Sequence, residues 1–255
     1  MVALASSRPC HPEGNVILSD VILSDVILSD VILSLSKDEG RREAFMALKA
    51  ELSGRPSLSP QPVEGTVATA IPELDRLLAG GFPSGSVATL EGATGRWSVA
   101  AGLVSAMTRR SLVAILDDGA LYPPGLADAG ACLERVLIVP VRKALEVARA
   151  ADILLRSRIC RLILMPAIVL RDSIWVRLAT LAHRNGVLLI VMATRAGAAL
   201  SAVAELRLHC ALERIIMRGT HGLWGGFAGF ELRVNLCKHR HVLPGRQARV
   251  RALSS

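Results

Sequence analysis

The chain has 255 residues, which is enough for one large domain or two small ones. Apolar residues make up 51% and aromatic residues only 3%, so the core must be built mainly from Ala, Val, Leu and Ile, which suits an α/β domain with buried parallel strands. No run reaches the roughly 18 apolar residues of a membrane span, so we expect a cytoplasmic protein with no membrane segment.

The net charge of +8 is concentrated near the C terminus. From Arg218 onward the chain holds seven basic residues and one acid, Glu231. Such a segment can bind phosphate backbones or an acidic partner, or it can be a solvated basic edge. The five cysteines are scattered without a CxxC pair, which predicts buried thiols in a reducing compartment and no zinc site.

An uninterrupted repeat occupies part of the N-terminal segment. Residues 16–34 read VILSD-VILSD-VILSD-VILS, and a period of five fits neither a strand nor a helix. The aspartates also interrupt any signal-peptide core. We therefore expect residues 1–39 to be a low-complexity extension, either disordered or upstream of the true translation start, for which Met46 is a candidate.

A helix and a linker are predicted next, at residues 40–62. GRREAFMALKAEL places Phe45, Leu48 and Leu52 near one helical face, and SGRPSLSPQP is typical of a linker. The main domain is expected to cover residues 63–236.

Strands and helices alternate through this domain. Pro72 opens a helix in IPELDRLLAGG, and later segments continue the alternation. The predicted strands lie at 86–92, 111–118, 135–141, at the start of 161–170, and at 187–195. The predicted helices lie at 97–109, 144–157 and 173–186. Because the strands are continuous apolar runs, the pattern predicts a doubly wound, mostly parallel sheet.

The pattern changes after residue 203. AELRLHC, LERIIMRG and FELRVNLCKHR alternate with glycine-rich breaks and predict antiparallel strands at one edge of the sheet. Residues 237–255 are interpreted as a basic C-terminal tail. The predicted fold class is therefore α/β, with a RecA-like, P-loop-type core and antiparallel C-terminal strands.

Ligands of such sheets bind where the parallel strands end, which brings loops 92–98, 117–122 and 166–172 into one crevice. The first loop lies in LEGATGRWSVA, at the position of a phosphate loop. A P-loop requires GxxxxGK[ST], whose glycines, lysine and hydroxyl cradle the phosphates and magnesium.

LEGATGRWSVA does not fit that pattern. With Gly92 as the first glycine, Trp97, Ser98 and Val99 fall where the second glycine, the lysine and the hydroxyl are required. The register that takes Gly95 as the second glycine fails as well. Arg96, which follows Gly95, is not equivalent to the required lysine, because its planar guanidinium group is bulkier than an ammonium group.

The acids of ATP chemistry are also missing. Pro166 stands at the strand end where a magnesium-binding aspartate is required. Asp172 is predicted to cap the helix that begins near Ser173. Asp117 and Asp118 can supply a carboxylate or form a turn, and we favour the turn. We assign no catalytic residue and no metal site.

Two segments resemble a known family. GTVATAIPELDRLLAGGFPSGSVATLEGATG resembles the start of the RecA-type core, and LAHRNGVLLIVMATR is similar to the helix and strand before the DNA-contacting loop of that core. Over residues 63–250 the chain is most similar to ImuA proteins, which are RecA-like proteins of a bacterial damage-inducible mutagenesis cassette. The shared features are a short core, LLAGGFPSG, an eroded P-loop and a basic R-x-N-L-x-K-x-R end.

The resemblance implies a non-catalytic accessory or adaptor role in error-prone translesion DNA synthesis during the SOS response. Its implied partners are an ImuB-type polymerase-like protein, an error-prone replicative-type DNA polymerase and RecA, with direct DNA contact left open. The alternatives are an active RecA- or KaiC-like DNA-dependent ATPase and a SulA-like inhibitor of cell division.

Two sets of candidate site residues result. The first is a vestigial nucleotide site with no expected cofactor, although weak ATP binding stays open because Arg96 can still hold a phosphate. Its members are Gly92, Thr94, Gly95, Arg96 and Ser98. The second set is expected to bind DNA or a partner. Its members are Lys238, Arg240, Arg246, Arg249 and Arg251.

Overall fold

A computed structural model describes residues 65–218 and 226–253, which form an α/β structure. In chain order the elements are β1 (Thr66–Val67), α1 (Pro72–Leu77), β2 (Phe82–Pro83), β3 (Val87–Glu91), α2 (Arg96–Thr108), β4 (Leu112–Asp117), α3 (Pro123–Asp128), a 3₁₀ turn (Leu133–Arg135), β5 (Val136–Pro140), α4 (Ala144–Ser157), β6 (Cys160–Pro166), α5 (Asp172–Asn185), β7 (Leu188–Ala193), α6 (Ala198–Val203), β8 (Leu206–Arg218), β9 (Gly226–Lys238) and β10 (Gln247–Leu253).

The described strands form a two-stranded sheet, β1-β2, and an eight-stranded sheet in the order β10-β9-β8-β3-β7-β6-β4-β5. The six strands from β8 to β5 are parallel to one another, while β9 is antiparallel to both β8 and β10. The predicted mostly parallel sheet with antiparallel C-terminal strands is therefore confirmed. One detail differs, because AELRLHC and LERIIMRG form a single strand, β8. A bulge near Leu212 lets that strand continue where a break was expected.

Helices cover both faces of the parallel strands. On one face Leu90, Ile115 and Leu164 pack with the buried side of α2. On the other face Leu189 packs with Trp175 of α5 and with residues of α4. Burial on both sides is the reason that the strands read as continuous apolar runs.

Two contacts fix the segment before β3: the hydrogen bonds of Asp75 with Thr69, and the close approach of the Gly81 backbone to that of Val67. Asp75 Oδ1 accepts hydrogen bonds from the backbone N–H and the hydroxyl of Thr69, both at 2.8 Å, which fixes the turn ahead of α1. At Gly81 a Cβ atom would lie 2.1 Å from the carbonyl oxygen of Val67, so the pairing of β1 with β2 requires glycine there. These contacts direct the chain into β3.

The C-terminal segment is part of the sheet. The boundary drawn at residue 237 falls inside β9, and β10 forms the edge strand. In QARVRAL, Val250 faces the core at 5% exposure while Arg249 and Arg251 point outward. This period-two alternation, typical of a half-buried strand, is the physical reason that residues 247–253 pair with β9 and do not form the tail that their charge indicated.

Some predictions are not reached by the structure. The repeat extension at 1–39 and the helix and linker at 40–62 lie outside the described residues. The short helices α3 and α6 were not predicted, because six residues are too few to display a helical period. In the part of the chain that the structure describes, no helix has both the length and the apolar character to cross a membrane.

The turn between β9 and β10 depends on a neutral histidine. His239 Nδ1 accepts hydrogen bonds from the backbone N–H groups of His241 and Val242, both at 3.0 Å. An imidazolium has no acceptor nitrogen, so protonation of His239 breaks both bonds. Burial, with a smaller contribution from His241, holds the pKa of His239 below its ordinary value of 6.5.

This arrangement predicts a pH effect on stability. Because the folded-state pKa of His239 lies below that of the unfolded chain, the contribution of the turn is fully present above pH 6.5 and is lost as the pH falls through the folded-state pKa. We expect His239→Asn, whose side-chain oxygen can still accept, to flatten this acid dependence in urea unfolding. The exposed His183 on α5 provides the control as His183→Asn. An unchanged slope in the His239 variant would contradict the assignment.

Candidate functional site

LEGATGRWSVA lies at the carboxyl edge of the parallel sheet. β3 ends at Glu91, the loop 92–95 turns, and α2 begins at Arg96. Strand, loop and helix therefore follow one another in the order that a phosphate-binding loop requires. The predicted loops do meet here, since residues after β4 and at the end of β6 line the same cleft as α2.

Close contacts press the loop against β8 and β9. At Gly92 a Cβ atom would lie 2.0 Å from the carbonyl oxygen of Cys210. At Gly95 it would lie 2.6 Å from Cδ2 of Leu232. The two glycines of GATG are therefore needed for contact with the C-terminal strands, whatever else they do.

Hydrogen bonds fix the same loop. The Gly92 N–H donates to the carbonyl oxygen of Thr194 at 3.1 Å. The Thr94 hydroxyl accepts a hydrogen bond from the backbone N–H of Leu212 at 3.1 Å, so this candidate residue is engaged by β8. Ser98, the remaining hydroxyl of the candidate set, lies half-buried in the first turn of α2.

Arg96 turns back onto its own loop. Its Nη1 donates to the carbonyl oxygen of Gly92 at 2.5 Å. Its Nε is buried and has no hydrogen-bond partner among the described residues. In a P-loop the lysine extends toward the β- and γ-phosphates. Here the cation at the comparable position is held by a carbonyl of the loop itself.

A shallow cleft of about 310 Å³, including space open to solvent, lies beside the loop. Arg96 and Trp97 of α2 face Asp118, Pro166 and Met192 across it. Its charged side chains are one guanidinium and one carboxylate, and the remaining lining is largely apolar.

Asp117, one of the two adjacent acids at this edge, has a structural role. Asp117 Oδ1 accepts hydrogen bonds from the N–H groups of Gly119 and Leu121, both at 3.0 Å, so the predicted turn is confirmed for this residue. β6 ends at Pro166, which leaves no carboxylate at the strand end where magnesium would be bound. Asp118 is exposed at the mouth of the cleft.

The predicted helix cap at Asp172 is wrong. α5 begins at Asp172 itself, and the preceding Arg171 is the extended N-cap residue, with no side-chain capping bond. The carbonyl oxygen of Arg171 accepts from the N–H of Ile174 at 3.0 Å, which draws Asp172 into the first turn. There its charge favours the helix through the dipole instead of a capping bond.

A buried ion pair that the sequence did not predict lies immediately before the loop. Glu91 Oε1 lies 2.8 Å from Nε of Arg207, and Glu91 Oε2 lies 3.2 Å from its Nη2. The same carboxylate accepts from the Thr89 hydroxyl at 2.9 Å and the Ala196 N–H at 3.2 Å. Burial alone would raise the pKa of Glu91, but these donors outweigh burial and hold it below its usual value of 4.5.

This pair joins three segments at the loop. Glu91 ends β3, Arg207 belongs to β8, and Ala196 follows β7. A signal was available in the sequence, since Glu91 is a charged residue at the end of an apolar strand, and a buried charge requires a partner. Its partner lies more than a hundred residues away, so spacing could not identify it.

The basic candidate residues separate into two groups. Lys238 donates to the carbonyl oxygens of Ser201 and Ala202 at 3.0 and 3.1 Å, which engages it at the C-terminal end of α6. Arg240 lies 3.6 Å from the Glu205 carboxylate. Arg246 is exposed in the turn before β10. These three residues therefore lie near the junction of α6 with the sheet or in the turn.

The other two candidates lie on the outer face of β8, β9 and β10, with two arginines that the prediction did not include. Each of two glutamates there is paired with two arginines. We call this set the arginine face. Its members are Arg214, Arg233, Arg249, Arg251, Glu213 and Glu231.

The predicted buried thiols are confirmed for two of the four described cysteines, Cys160 and Cys210, but not for the half-buried Cys132 or the exposed Cys237. Cys160 and Cys210 are buried, and burial raises the pKa of each to about 12, so both are protonated thiols. Cys237 is exposed on β9. Within residues 65–218 and 226–253 there is no group of three or more His, Cys, Asp or Glu side chains that could hold a metal ion.

No protein-family model and no curated protein matches the sequence. Among solved structures, the crystal structure of the RadB recombinase is similar, with a TM-score of 0.57 and 18% sequence identity, over 73% of this chain and 96% of that chain. At this identity the likeness concerns the fold alone, and it does not bear on ImuA proteins in particular. The chain has a RecA-like α/β core.

Proposed function

We propose that the chain is a RecA-like accessory protein that does not turn over ATP and acts as an adaptor in damage-induced, error-prone translesion DNA synthesis. The observation that carries the proposal is the side chain of Arg96, which is held by the Gly92 carbonyl of its own loop. The guanidinium of Arg96, the one cation of this loop, is therefore bonded to the loop's own backbone.

The chemistry of phosphoryl transfer supports this proposal. Such a site needs a backbone cradle, a cation on the outer phosphates, a hydroxyl on magnesium and an acid at a neighbouring strand end. In this chain Thr94 is bonded to β8, and Pro166 stands at the end of β6. A protein that acts through its surfaces needs none of these groups.

The choice of pathway rests on the family resemblance and on the fold. RadB, whose solved structure has this fold, is a recombinase. The ImuA-like features of the sequence narrow the proposal to translesion synthesis. The partners that we propose are an ImuB-type polymerase-like protein, an error-prone replicative-type polymerase and RecA.

ATP hydrolysis by the purified full chain provides the first test. We expect no magnesium-dependent phosphate release above the blank, either in the wild-type protein or in Arg96→Ala. A variant at the exposed Arg171, Arg171→Ala, controls for the loss of one positive charge near the crevice. Turnover that is present in the wild type and lost in Arg96→Ala, but not in Arg171→Ala, would overturn the proposal in favour of an ATPase.

A pull-down from DNA-damaged cells tests the adaptor role. The tagged full chain is expected to retain polymerases and RecA, and its deletion is expected to lower the frequency of damage-induced mutation. An inhibitor of cell division would instead give filamentous cells on overproduction with no change in mutation frequency. That result would contradict the adaptor proposal.

A further inference from the structure

We propose that the arginine face binds the phosphate backbone of duplex DNA. The inference deepens the proposed function, on which it rests for the expectation that the protein works at DNA. It places that contact on the outer side of β8, β9 and β10, away from the loop between β3 and α2.

The register of the strands produces the face. Arg249 of β10 lies directly opposite Arg233 of β9, and Arg251 lies opposite Glu231, which in turn lies opposite Arg214 of β8. The irregular pairing between Leu212 and Arg214 leaves Glu213 as an extra residue of β8. The Glu213 side chain lies on this face, where its carboxylate contacts Arg233 and Arg249.

Each glutamate forms ion pairs with two arginines that are more exposed than it is. Glu213 lies 3.3 Å from the guanidinium of Arg233 and 3.2 Å from that of Arg249. The Glu213 side chain is 21% exposed, whereas those of Arg233 and Arg249 are 49% and 71% exposed. The guanidinium groups therefore form the outermost layer, and the carboxylates lie beneath them.

The second half of the face repeats this arrangement. Glu231 lies 2.8 Å from the guanidinium of Arg214 and 3.6 Å from that of Arg251. Four arginines against two glutamates leave two positive charges on the face. Because an arginine has five N–H donors in a planar fork, each one keeps donors for a phosphate while its position is fixed by the carboxylate.

The chemistry around the face favours a phosphate backbone over a protein. Apart from the half-buried Ile216 at one end, the described neighbours on this side are polar or small, including His209, Ala211, Asn235 and Gln247. A protein interface requires apolar or aromatic anchors at its centre, and single-stranded DNA is bound by stacking on aromatic rings. A layer of guanidinium groups without such anchors fits the backbone of a duplex.

Fluorescence anisotropy with the full chain and a short labelled duplex tests the inference at several salt concentrations. The main variant is Arg233→Gln/Arg249→Gln, and the matched control is Arg109→Gln/Arg110→Gln, which removes two exposed arginines after α2. We expect the control to bind as the wild type does. The main variant should bind about 10- to 100-fold more weakly. The plot of the logarithm of its association constant against the logarithm of the salt concentration should be shallower, with a slope smaller in magnitude by about 2.

Two further variants protect the test against a folding defect. Arg233→Lys/Arg249→Lys keeps the charge but loses the fork, so its salt slope should match the wild type while its affinity is intermediate. Arg214→Gln/Arg251→Gln repeats the neutralisation at the other half of the face. Thermal unfolding of each variant shows whether the fold is kept.

Several results would overturn the inference. They are an absence of duplex binding by the wild type, an equal loss in the main and control variants, and tighter binding to a single strand of the same length. Binding of polyglutamate without binding of the duplex would assign the face to an acidic protein and would also overturn it. None of these results involves ATP turnover, so failure here and failure of the proposed function are distinguishable.

Discussion

Replacing Glu91 with glutamine should lower the free energy of unfolding by about 3 kcal/mol. The Glu91 side chain is 5% exposed and that of its partner Arg207 is 25% exposed, so the substitution leaves a largely buried guanidinium without its counter-ion. The two groups also join β3 to β8 beside the candidate loop, so the loss weakens the contact between these two strands. Urea unfolding of the wild type and the variant at neutral pH measures the difference.

An exposed ion pair of the same chemistry supplies the control. Glu73 lies 4.0 Å from Arg76 on α1, and both side chains are largely exposed, so Glu73→Gln should cost less than about 0.5 kcal/mol. Equal losses for the two variants would show that the Glu91 pair does not hold the end of β3.

The same pair predicts a dependence on acid. Because the folded-state pKa of Glu91 lies below its ordinary value of 4.5, its contribution to stability is present above pH 4.5 and is lost as the pH falls through the folded-state pKa. Glu91→Gln should remove this part of the acid unfolding profile. A profile that keeps the wild-type slope would contradict the prediction.

The fold of the parallel region was predictable because local signals agree with one another. The helix predicted at 144–157 is observed as Ala144–Ser157, and the helix before the Asn-Gly pair ends at Asn185, with Gly186 as its C-cap. Each strand there is an apolar run bounded by a turn, and each helix has a marked start or end. When helix or strand propensity, the apolar pattern and the turn residues all favour the same element, that element can be predicted without knowledge of its tertiary contacts.

The C-terminal strands were predicted less completely because charge and period conflicted. QARVRAL is basic enough to be interpreted as a tail, yet its alternation places Val250 in the core. For a half-buried edge strand the alternation of apolar and polar residues is the stronger signal, since the outward positions tolerate any charge. The period of two should therefore have taken precedence over the net charge.

The candidate site shows what a linear motif leaves out. The sequence placed Gly92, Thr94, Gly95 and Arg96 in a loop between a strand and a helix; the first three are there, and Arg96 is the first residue of the helix. It could not show that the loop is pressed on β8 and β9, because those contacts join residues more than a hundred positions apart. The direction of a side chain cannot be predicted from a linear motif either. The hydrogen bond from Arg96 to the Gly92 carbonyl oxygen depends on the folded shape of the loop.

The basic residues show the same limit. By composition Lys238 and Arg249 are equivalent candidates for binding an anion. In the structure Lys238 is bonded to the carbonyl oxygens at the end of α6, whereas Arg249 lies in an exposed layer beside Arg233. Strand register decides which charges act together, and register is a tertiary property.

Replacing Gly92 with alanine should lower the free energy of unfolding by about 3 kcal/mol or more. Gly92 has a φ of +119°, which L-residues rarely adopt, and a Cβ atom would lie 2.0 Å from the carbonyl oxygen of Cys210. That oxygen belongs to the backbone of β8, so relief requires the strand to move. Urea unfolding of the full chain measures the loss.

Gly119→Ala separates the two causes. Gly119 also has a positive φ, +95°, but nothing lies within 4 Å of its Cβ position, so alanine there should cost only the backbone strain of about 1–2 kcal/mol. The excess at Gly92 then reports the contact between the loop and β8. If the two variants lose the same stability, the loop is not pressed on that strand and has room to rearrange around a phosphate. Pro166, which stands at the end of β6 in place of a carboxylate, would then be the remaining obstacle to ATP turnover.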